Sequence, residues 1–417
     1  MQLASELDLA HLAMEEPAFA ADPFPQFAAA RARHPWLAKA SFGYVVTEYA
    51  AVKDLLAMDD QLRTGHDGVA EIMGAKGTEW GRFLVEQILG RTGADHRRMR
   101  DLLAPLFTPR VANRHRPLMQ TTIAALLDEW APKGAFDFEE FASYFPITVM
   151  CSLIGASPEA IPRLRSSLEA LGLALCLDPA HLPAMEQAMA TMNAFVAQLV
   201  AERRARGPAS GEPDLLDLLL EGHGEGGLTD RELADLLIFL FVAGYDTSKN
   251  VLTLTMRLLI DRPDAYARCA SDKAFCSQVL EESLRFNNTA TIPRQASQDV
   301  VYRDVLIPAG SMLFFPVSVI TRDPSAIPDA ETFRPERRHD NRHMAFGRGA
   351  HLCLGRYIAL AQIEEGLHLI AQRLAEPKLA GEPAWRPFPG TWGIHGLPVT
   401  FRPDPWSQPQ SATAADA

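Results

Sequence analysis

This chain of 417 residues has few cysteines, no long apolar run and no excess of basic residues. An odd number of scattered cysteines is unlike the disulfide framework of a secreted protein, so we expect a reducing, cytoplasmic location. The N-terminus lacks the basic segment followed by an apolar core that marks a secretory signal. The strongest apolar run, Leu236 to Gly244, is far shorter than the ~20 residues that span a bilayer. We therefore expect no membrane anchor. The five cysteines are Cys151, Cys176, Cys269, Cys276 and Cys353.

Basic residues are outnumbered: 40 Lys and Arg face 52 Asp and Glu, which gives a formal net charge of -12. An acidic chain of this size disfavours nucleic acid as a partner. Hydrophobic residues make up 47% of the chain and charged residues 22%, as in soluble globular proteins, which excludes a disordered or fibrous class. Length alone predicts two or three domains or one large one. No repeat or shift of composition marks a boundary between domains.

Most of the chain is predicted to be helical, because apolar residues recur at helical spacing in Ala-, Leu-, Glu- and Arg-rich stretches. The longest segment begins with Thr229 and Glu232, which form a capping-box pattern, and should be a central buried helix. The predicted helices are 95–106, 112–131, 140–154, 158–174, 182–205, 228–260, 273–286 and 355–374. The predicted strands are Tyr44–Thr47, a hairpin over Val300–Pro316, and Leu397–Phe401.

One short segment, Phe346 to Gly355, carries the most specific signal. Two glycines before Cys353 favour a tight turn, and Gly355 after it lets a large group approach the backbone closely. The start of a helix follows, and its free N–H groups favour a thiolate, which is a better metal ligand than a thiol. A single buried cysteine is usually inert. The pattern FxxGxxxCxG, with His351 two residues before Cys353, instead resembles the haem-binding loop of the cytochrome P-450 family.

The resemblance covers about residues 20 to 402 and implies a mainly α fold with small β-sheets, a triangular helical prism around haem b. It implies one domain over residues 1–417, with poorly ordered tails at 1–20 and 403–417. Cys353 would be the axial ligand of the haem iron, and a thiolate in this position favours cleavage of the O–O bond.

The predicted central helix contains Gly244, Asp246 and Thr247, residue types that disfavour a helix interior. Such a locally unfavourable segment is expected where function requires it. It resembles the family's distal-helix motif, which implies that Asp246 and Thr247 deliver protons. The structural alternative is a Thr247 that bonds to its own helix and an Asp246 that caps a kink.

Two further sets of residues match family motifs in the expected order. Glu282 and Arg285 form the ExxR pair, and Arg337 in FRPERR is its third member; the resemblance implies that these three hold the site without reacting. His96 and Arg100 lie four residues apart on one helix face, and by resemblance they bind the haem propionates together with two others, Arg294 and His351. Taken alone, the ExxR spacing is more typical of a solvated surface ion pair, and His96 and Arg100 fit a solvated basic helix face equally well.

The resemblance implies a monomeric monooxygenase that uses O2 and two electrons from a ferredoxin and its NAD(P)H-dependent reductase. Small apolar residues at the family's substrate positions favour a compact hydrophobic substrate, such as a terpenoid, an alkyl-aromatic or a fatty-acid fragment. Segments 63–94 and 165–195 are expected to form the lid. Two alternatives stay open, a peroxide-driven peroxygenase and a non-catalytic haem sensor. The substrate positions are Phe239, Val242, Ala243, Ala290, Ile292 and Ile394. The expected basic dock for an acidic ferredoxin comprises Arg97, Arg98, Arg110, Arg348 and Arg356.

Overall fold

A computed structural model describes residues 1–209, 213–223, 227–338 and 343–403. Within these ranges the fold is mainly helical, with four small sheets. The helices are α1 Pro17–Ala21, α2 Phe24–Arg33, α3 Tyr49–Leu55, α4 His66–Ile72, α5 Glu79–Glu86, α6 Gly93–Leu103, α7 Pro109–Arg114, α8 Arg116–Trp130, α9 Phe138–Ile154, α10 Ile161–Leu171, α11 Leu182–Arg206, α12 Leu215–Glu221, α13 Asp230–Ile260, α14 Pro263–Ser271, α15 Lys273–Phe286 and α16 Arg356–Arg373.

The strands are short and connect distant parts of the chain. They are β1 Gln2–Leu3, β2 Leu37–Ala40, β3 Gly43–Val46, β4 Leu62–Thr64, β5 Ala135–Asp137, β6 Ile292–Ala296, β7 Val300–Tyr302, β8 Val305–Ile307, β9 Met312–Phe315, β10 Leu374–Leu379, β11 Ala384–Trp385, β12 Ile394–His395 and β13 Pro398–Pro403. The largest sheet has five strands in the order β2-β3-β9-β6-β4. The others are β1-β8-β7, β10-β13-β5 and the pair β11-β12.

The 31-residue helix α13 is the centre of the molecule, as its apolar sequence predicts. Its start is fixed by the predicted capping box, in which the Thr229 hydroxyl and the Glu232 carboxylate each accept a backbone N–H of the other residue. The helix packs against α9, α11, α15 and α16. Because neighbours surround it, residues on most of its faces are buried, and one side remains for a cavity.

The predicted hairpin over Val300–Pro316 is only partly correct. Strands β7 and β8 form an antiparallel hairpin, with Val300 opposite Ile307. Strand β9 instead joins the five-stranded sheet, where it pairs with β3 and β6. The reason is burial on both faces: all four residues of β9 are buried, which a strand at the edge of a two-sided hairpin could not achieve.

The expectation of a poorly ordered N-terminus over residues 1–20 is wrong. Strand β1 pairs in parallel with β8, and Leu12, Met14 and Phe19 are at most 2% exposed. The indole N–H of Trp392 also donates to the Ala20 carbonyl, at 2.8 Å. Apolar side chains spaced through this segment therefore bind it to the core. At the other end, Pro403 closes β13, and residues 404–417 of the expected C-terminal tail lie outside the described residues.

None of the helices that the structure describes combines the length and the apolarity needed to cross a bilayer.

Substituting Met14 tests whether the N-terminal segment is part of the core. Met14→Ala should lower the free energy of unfolding by about 2–4 kcal/mol, because a fully buried side chain is removed and a cavity is left. Glu16→Ala, at an exposed neighbouring position, should change it by less than about 0.5 kcal/mol. Urea unfolding measures both. Equal effects of the two substitutions would mean that the segment is not packed in solution.

Candidate active site around Cys353

The loop before α16 turns as its glycines predict. Gly347 and Gly349 have φ angles of +71° and +73°, in the left-handed region that glycine adopts without strain. The Cys353 N–H donates to the Phe346 carbonyl at 2.8 Å, which closes the loop. All five cysteines are free, and Cys353 is the one that is not fully buried. It faces a large internal cavity.

Two opposing effects act on the Cys353 thiol. Burial raises its pKa, whereas the N–H groups of Gly355 and Arg356 and the positive charges of Arg100 and Arg356 act to lower it. These stabilising groups come from the start of α16 and from α6. These groups therefore offset part of the effect of burial on a thiolate. A metal cation bound to the sulfur would offset the remaining part.

The cavity lies between the Cys353 loop and α13. An added Cβ at Gly355, which lines the cavity, would meet no atom within 4 Å, so open space begins directly beside the backbone. Opposite, Ala243 and Thr247 on α13 line the same space and are exposed to it. The remaining lining is largely apolar and includes Trp80, Phe83, Leu84, Ile88, Leu171, Leu175 and Val251.

A cluster of basic side chains forms one end of the cavity. The rings of His96 and His351 lie 4.1 Å apart between centroids, and the Arg100 guanidinium donates to the Leu352 carbonyl at 2.6 Å. Arg294, on β6, is 5% exposed. The structure adds a residue that the sequence did not suggest, His66 at the start of α4, which also lines the cavity.

These groups destabilise one another's positive charge. Burial and the neighbouring His96, Arg294, His66 and Arg100 lower the pKa of His351 to about 3. Burial and Arg294 lower the pKa of His66 to about 4. The Nδ1 atoms of both rings are buried and have no hydrogen-bond partner among the described residues. Such a cluster is complementary to an anion.

The structure also brings together Glu282, Arg285 and Arg337. Arg285 Nε and Nη2 each donate to Glu282 at 2.8 Å, and Arg337 Nε lies 3.4 Å from the same carboxylate. Arg285 and Arg337 also donate to backbone carbonyls of the segment before the cysteine loop, including Ala330 and Asp329. The triad therefore connects α15 to that segment.

Asp246 and Thr247 lie on α13 beside the cavity, in different surroundings. The Thr247 hydroxyl donates to the Ala243 carbonyl at 2.9 Å, the bond to its own helix that the structural alternative expects. Asp246 does not cap a kink, because α13 runs without interruption through it. Its carboxylate instead accepts from Arg386 at 2.5 Å.

Five of the six predicted substrate positions line the cavity, and Ile394 does not. Phe239, Val242, Ala243, Ala290 and Ile292 are all in its wall. Ile394 is fully buried in β12, opposite Trp385. The wall at this point is formed by Gly390 and Thr391, and an isolated bridge pairs Thr391 with Ala290. The turn after Thr391 directs Ile394 into the core.

Arg98 is not available for the expected basic dock. Its guanidinium pairs with the Glu232 carboxylate at the start of α13 and donates to the Gly227 carbonyl at 3.2 Å. Its charge is therefore already neutralised. Arg97, Arg110 and Arg348 are exposed, and Arg356 donates to the Tyr357 hydroxyl at 2.8 Å.

Comparison with known proteins agrees with this geometry. Residues 167–375 match the family described as Cytochrome P450. Luteothin monooxygenase of Streptomyces thioluteus is 33% identical over 401 residues, which cover 94% of this chain and 96% of that protein. The chain belongs to the cytochrome P450 family. It is a P450 monooxygenase, and membership of the family implies a haem-thiolate cofactor.

Two further relatives extend the comparison. Pentalenic acid synthase of Streptomyces avermitilis is 32% identical over 367 residues, covering 86% of this chain and 88% of that protein. The crystal structure of P450BioI in complex with hexadec-9Z-enoic acid ligated acyl carrier protein superposes with a TM-score of 0.84. It is 26% identical in sequence and covers 92% of this chain and all of that chain. The P450 fold predicted from the sequence is thus confirmed.

The residues around the cavity fit a haem. The thiol of Cys353 faces open space, Gly355 leaves room beside the backbone, and the basic cluster has buried nitrogen atoms without partners. The two propionates of a haem are anions of the kind that this cluster lacks. The role of His66 could not be predicted from the sequence, because one histidine at the start of a short helix carries no motif. The contact between Arg386 and Asp246 could not be predicted either, because it spans 140 positions.

Removing Arg285 should show how much the ExxR triad stabilises the fold. Arg285→Met leaves the fully buried Glu282 carboxylate without its bidentate partner and should lower the free energy of unfolding by about 3–5 kcal/mol. The matched control, Arg257→Met, removes a solvent-exposed i,i+4 pair with Asp261 and should lower it by less than about 1 kcal/mol. A loss below 1 kcal/mol for Arg285→Met would contradict a structural role. Thermal and urea unfolding measure the difference.

Proposed function

We propose that this enzyme hydroxylates a compact hydrophobic substrate with O2 and two electrons delivered by a ferredoxin and its NAD(P)H-dependent reductase. The observation that carries the proposal is the apolar cavity between Cys353 and α13, bordered by Asp246 and Thr247. An apolar wall excludes water and favours apolar ligands.

Cys353 is proposed as the residue whose sulfur would bind the haem iron. The haem propionates would be held by the basic cluster of His66, His96, Arg100, Arg294 and His351. When bound, the haem-thiolate group activates O2 for transfer of one oxygen atom to a C–H bond. The chain itself orients that group through the loop hydrogen bond from the Cys353 N–H to Phe346 and through the basic cluster. The Glu282 triad holds the loop segment from behind.

Asp246 and Thr247 are proposed as the proton-delivery pair. The Thr247 hydroxyl is exposed to the cavity and can rotate away from the Ala243 carbonyl to donate a proton. Asp246 is buried one residue before it and pairs with a cation, so it can exchange a proton without contact with bulk water. Peroxide already carries the protons and electrons that the reaction needs, whereas O2 does not. A proton-delivery pair therefore favours a reaction that uses O2 and external electrons.

The cavity wall and the names of related proteins both support the proposed substrate class. Luteothin monooxygenase and pentalenic acid synthase are similar to this chain, and P450BioI was solved with a fatty acid on an acyl carrier protein. The wall combines aromatic side chains, such as Trp80 and Phe83, with aliphatic ones. Terpenoids, alkyl-aromatics and fatty-acid chains all present the apolar surface that such a wall binds.

Spectroscopy and turnover together test the proposed function. Reduction with dithionite and addition of carbon monoxide should give the absorption band typical of thiolate ligation, and Cys353→Ser should abolish it. Limonene, butylbenzene and dodecanoic acid form a first panel, in which a ligand that fills the cavity should shift the spin state of the iron. Product should form with NADPH, a plant-type ferredoxin and its reductase.

Two outcomes would favour the alternatives. Product formation with hydrogen peroxide alone, and none with ferredoxin, would indicate a peroxygenase. Haem binding without turnover under either condition would indicate a sensor.

The electron-transfer partner is proposed to dock near the cysteine loop. Helix α7, which carries the exposed Arg110, packs against α16 directly after Cys353. Arg97, Arg348 and Arg356 lie in segments that line or adjoin the same loop. Their positive charges are complementary to an acidic ferredoxin despite the net charge of -12.

Charge reversal at Arg110 tests this dock. Arg110→Glu should raise the KM for ferredoxin about tenfold at low ionic strength, with less effect at high salt, because long-range attraction between exposed charges is screened. Arg206→Glu is the control, since this exposed residue lies at the end of α11, which packs against α10 and α13. An unchanged KM for Arg110→Glu, or an equal rise for Arg206→Glu, would contradict the proposed surface. Steady-state kinetics at two salt concentrations provide the measurement.

A further inference from the structure

Asp246 belongs to a buried ionic cluster. One of its oxygen atoms, Oδ1, lies 2.5 Å from Arg386 Nη1 and 3.6 Å from Lys249 Nζ. Lys249 is fully buried, and 4% of the Arg386 side chain is exposed. A carboxylate as buried as Asp246 loses its hydration and needs such cations to remain charged.

Two other carboxylates share the same cations. Lys249 Nζ lies 2.9 Å from both carboxylate oxygens of Glu169 and 2.5 Å from Glu139 Oε1. Arg386 Nη1 lies 3.7 Å from Glu169 Oε2. Three carboxylates are therefore held by two cations, and Asp246 does not have either cation to itself. Each competing carboxylate weakens the attraction between Asp246 and its partners.

Glu169 is charged in this cluster. Although burial acts to raise the pKa of Glu169, the charge of Lys249 and the hydrogen bond from the Tyr245 hydroxyl hold it below its usual value. Arg165 lies further out, at 3.8 Å from Glu140, and adds a positive charge near Tyr245 and Glu169. Groups from α9, α10, α13 and the segment after β11 thus form one cluster that includes Asp246.

The second oxygen atom of Asp246 is left without a partner. Its Oδ2 is buried and accepts no hydrogen bond from the residues that the structure describes. Gly172, which lines the cavity, packs closely there: a Cβ on Gly172 would lie 2.8 Å from both Asp246 Oδ2 and Arg386 Nη2. The cations hold one oxygen atom, and the other is buried beside Gly172, a residue of the cavity lining.

We propose that Arg386, Lys249 and Glu169 are positioning residues for Asp246. The two cations hold Oδ1, and Glu169 shares those cations, which leaves Oδ2 available to exchange a proton with Thr247 or with a water molecule in the cavity. The inference rests on the proposed proton-delivery role of Asp246 and deepens it.

The first test is Glu169→Gln, which keeps the size of the side chain and removes one competing negative charge. Asp246 is then held more tightly by both cations. Using whichever of limonene, butylbenzene and dodecanoic acid gives the largest spin-state shift, product formed per NADPH should fall at least about threefold, with a matching rise in hydrogen peroxide. The carbon monoxide spectrum and the affinity for that compound should not change. Glu159→Gln, at an exposed site on the segment before α10, should leave all four quantities unchanged.

The second test uses Arg386 and a double-mutant cycle. Arg386→Met should lower product per NADPH about tenfold, and Arg386→Lys should restore part of it by returning the charge. In an Asp246→Asn background, neither Arg386→Met nor Glu169→Gln should cause a further loss, because both act through Asp246. If Arg386→Met fails to fold, which the carbon monoxide spectrum reveals, the nearly isosteric Glu169→Gln variant decides.

The outcomes separate the two proposals. Full coupling in Asp246→Asn would overturn the proton-delivery role and the positioning role together. Uncoupling in Asp246→Asn with unchanged coupling in Glu169→Gln would overturn the positioning role alone. Further uncoupling by Glu169→Gln in the Asp246→Asn background would also overturn it, since Glu169 would then act by another route.

Discussion

The structure depends on how one sulfur atom, that of Cys353, is held beside a largely apolar cavity. Burial disfavours a thiolate at this position, because it raises the pKa of the Cys353 thiol. The chain compensates with the N–H groups at the start of α16 and the charges of Arg100 and Arg356. These groups are effective only if the loop keeps its shape. The shape of the loop is set by the left-handed conformations of Gly347 and Gly349 and by the hydrogen bond from the Cys353 N–H to the Phe346 carbonyl. Any chemistry at the sulfur therefore depends on these features.

Local features of this site could be predicted from the sequence. A turn with two glycines before Cys353, the capping box of α13 and the i,i+3 pair of Glu282 and Arg285 are each contained in a few consecutive residues. Short-range sterics and hydrogen bonds determine such features. The long apolar helix α13 was predictable for the same reason, since its periodicity repeats over many turns.

Features that depend on packing between distant segments could be predicted only where a family motif carries them, as for Arg337 beside Glu282. Arg386 reaches Asp246 across 140 positions, and nothing near Arg386 in the sequence indicates this contact. Ile394 differs from Thr391 by three positions, yet the path of one turn places Thr391 at the cavity and Ile394 in the core. The N-terminal segment was misjudged because the burial of its apolar residues depends on packing against distant segments, such as the pairing of β1 with β8.

Buried charged clusters in this protein differ in how completely their groups are paired. Around Glu282, two arginines and several backbone carbonyls pair the carboxylate and the guanidinium groups. This cluster joins segments that are distant in sequence. At Asp246, by contrast, Oδ2 has no hydrogen-bond partner among the described residues. An unpaired buried oxygen costs stability, and this one lies beside Gly172, which lines the cavity.

The position of Glu169 connects that cluster to the contents of the cavity. Glu169 lies on α10, and Leu171 at the end of this helix lines the cavity, as do Gly172 and Leu175 after it. Any ligand that fills the cavity therefore contacts the end of the helix that carries the competing carboxylate. A shift of α10 would change the distance between Glu169 and Lys249, and with it the hold of the two cations on Asp246. With the proposed role of Asp246, α10 would therefore couple proton delivery to occupancy of the cavity.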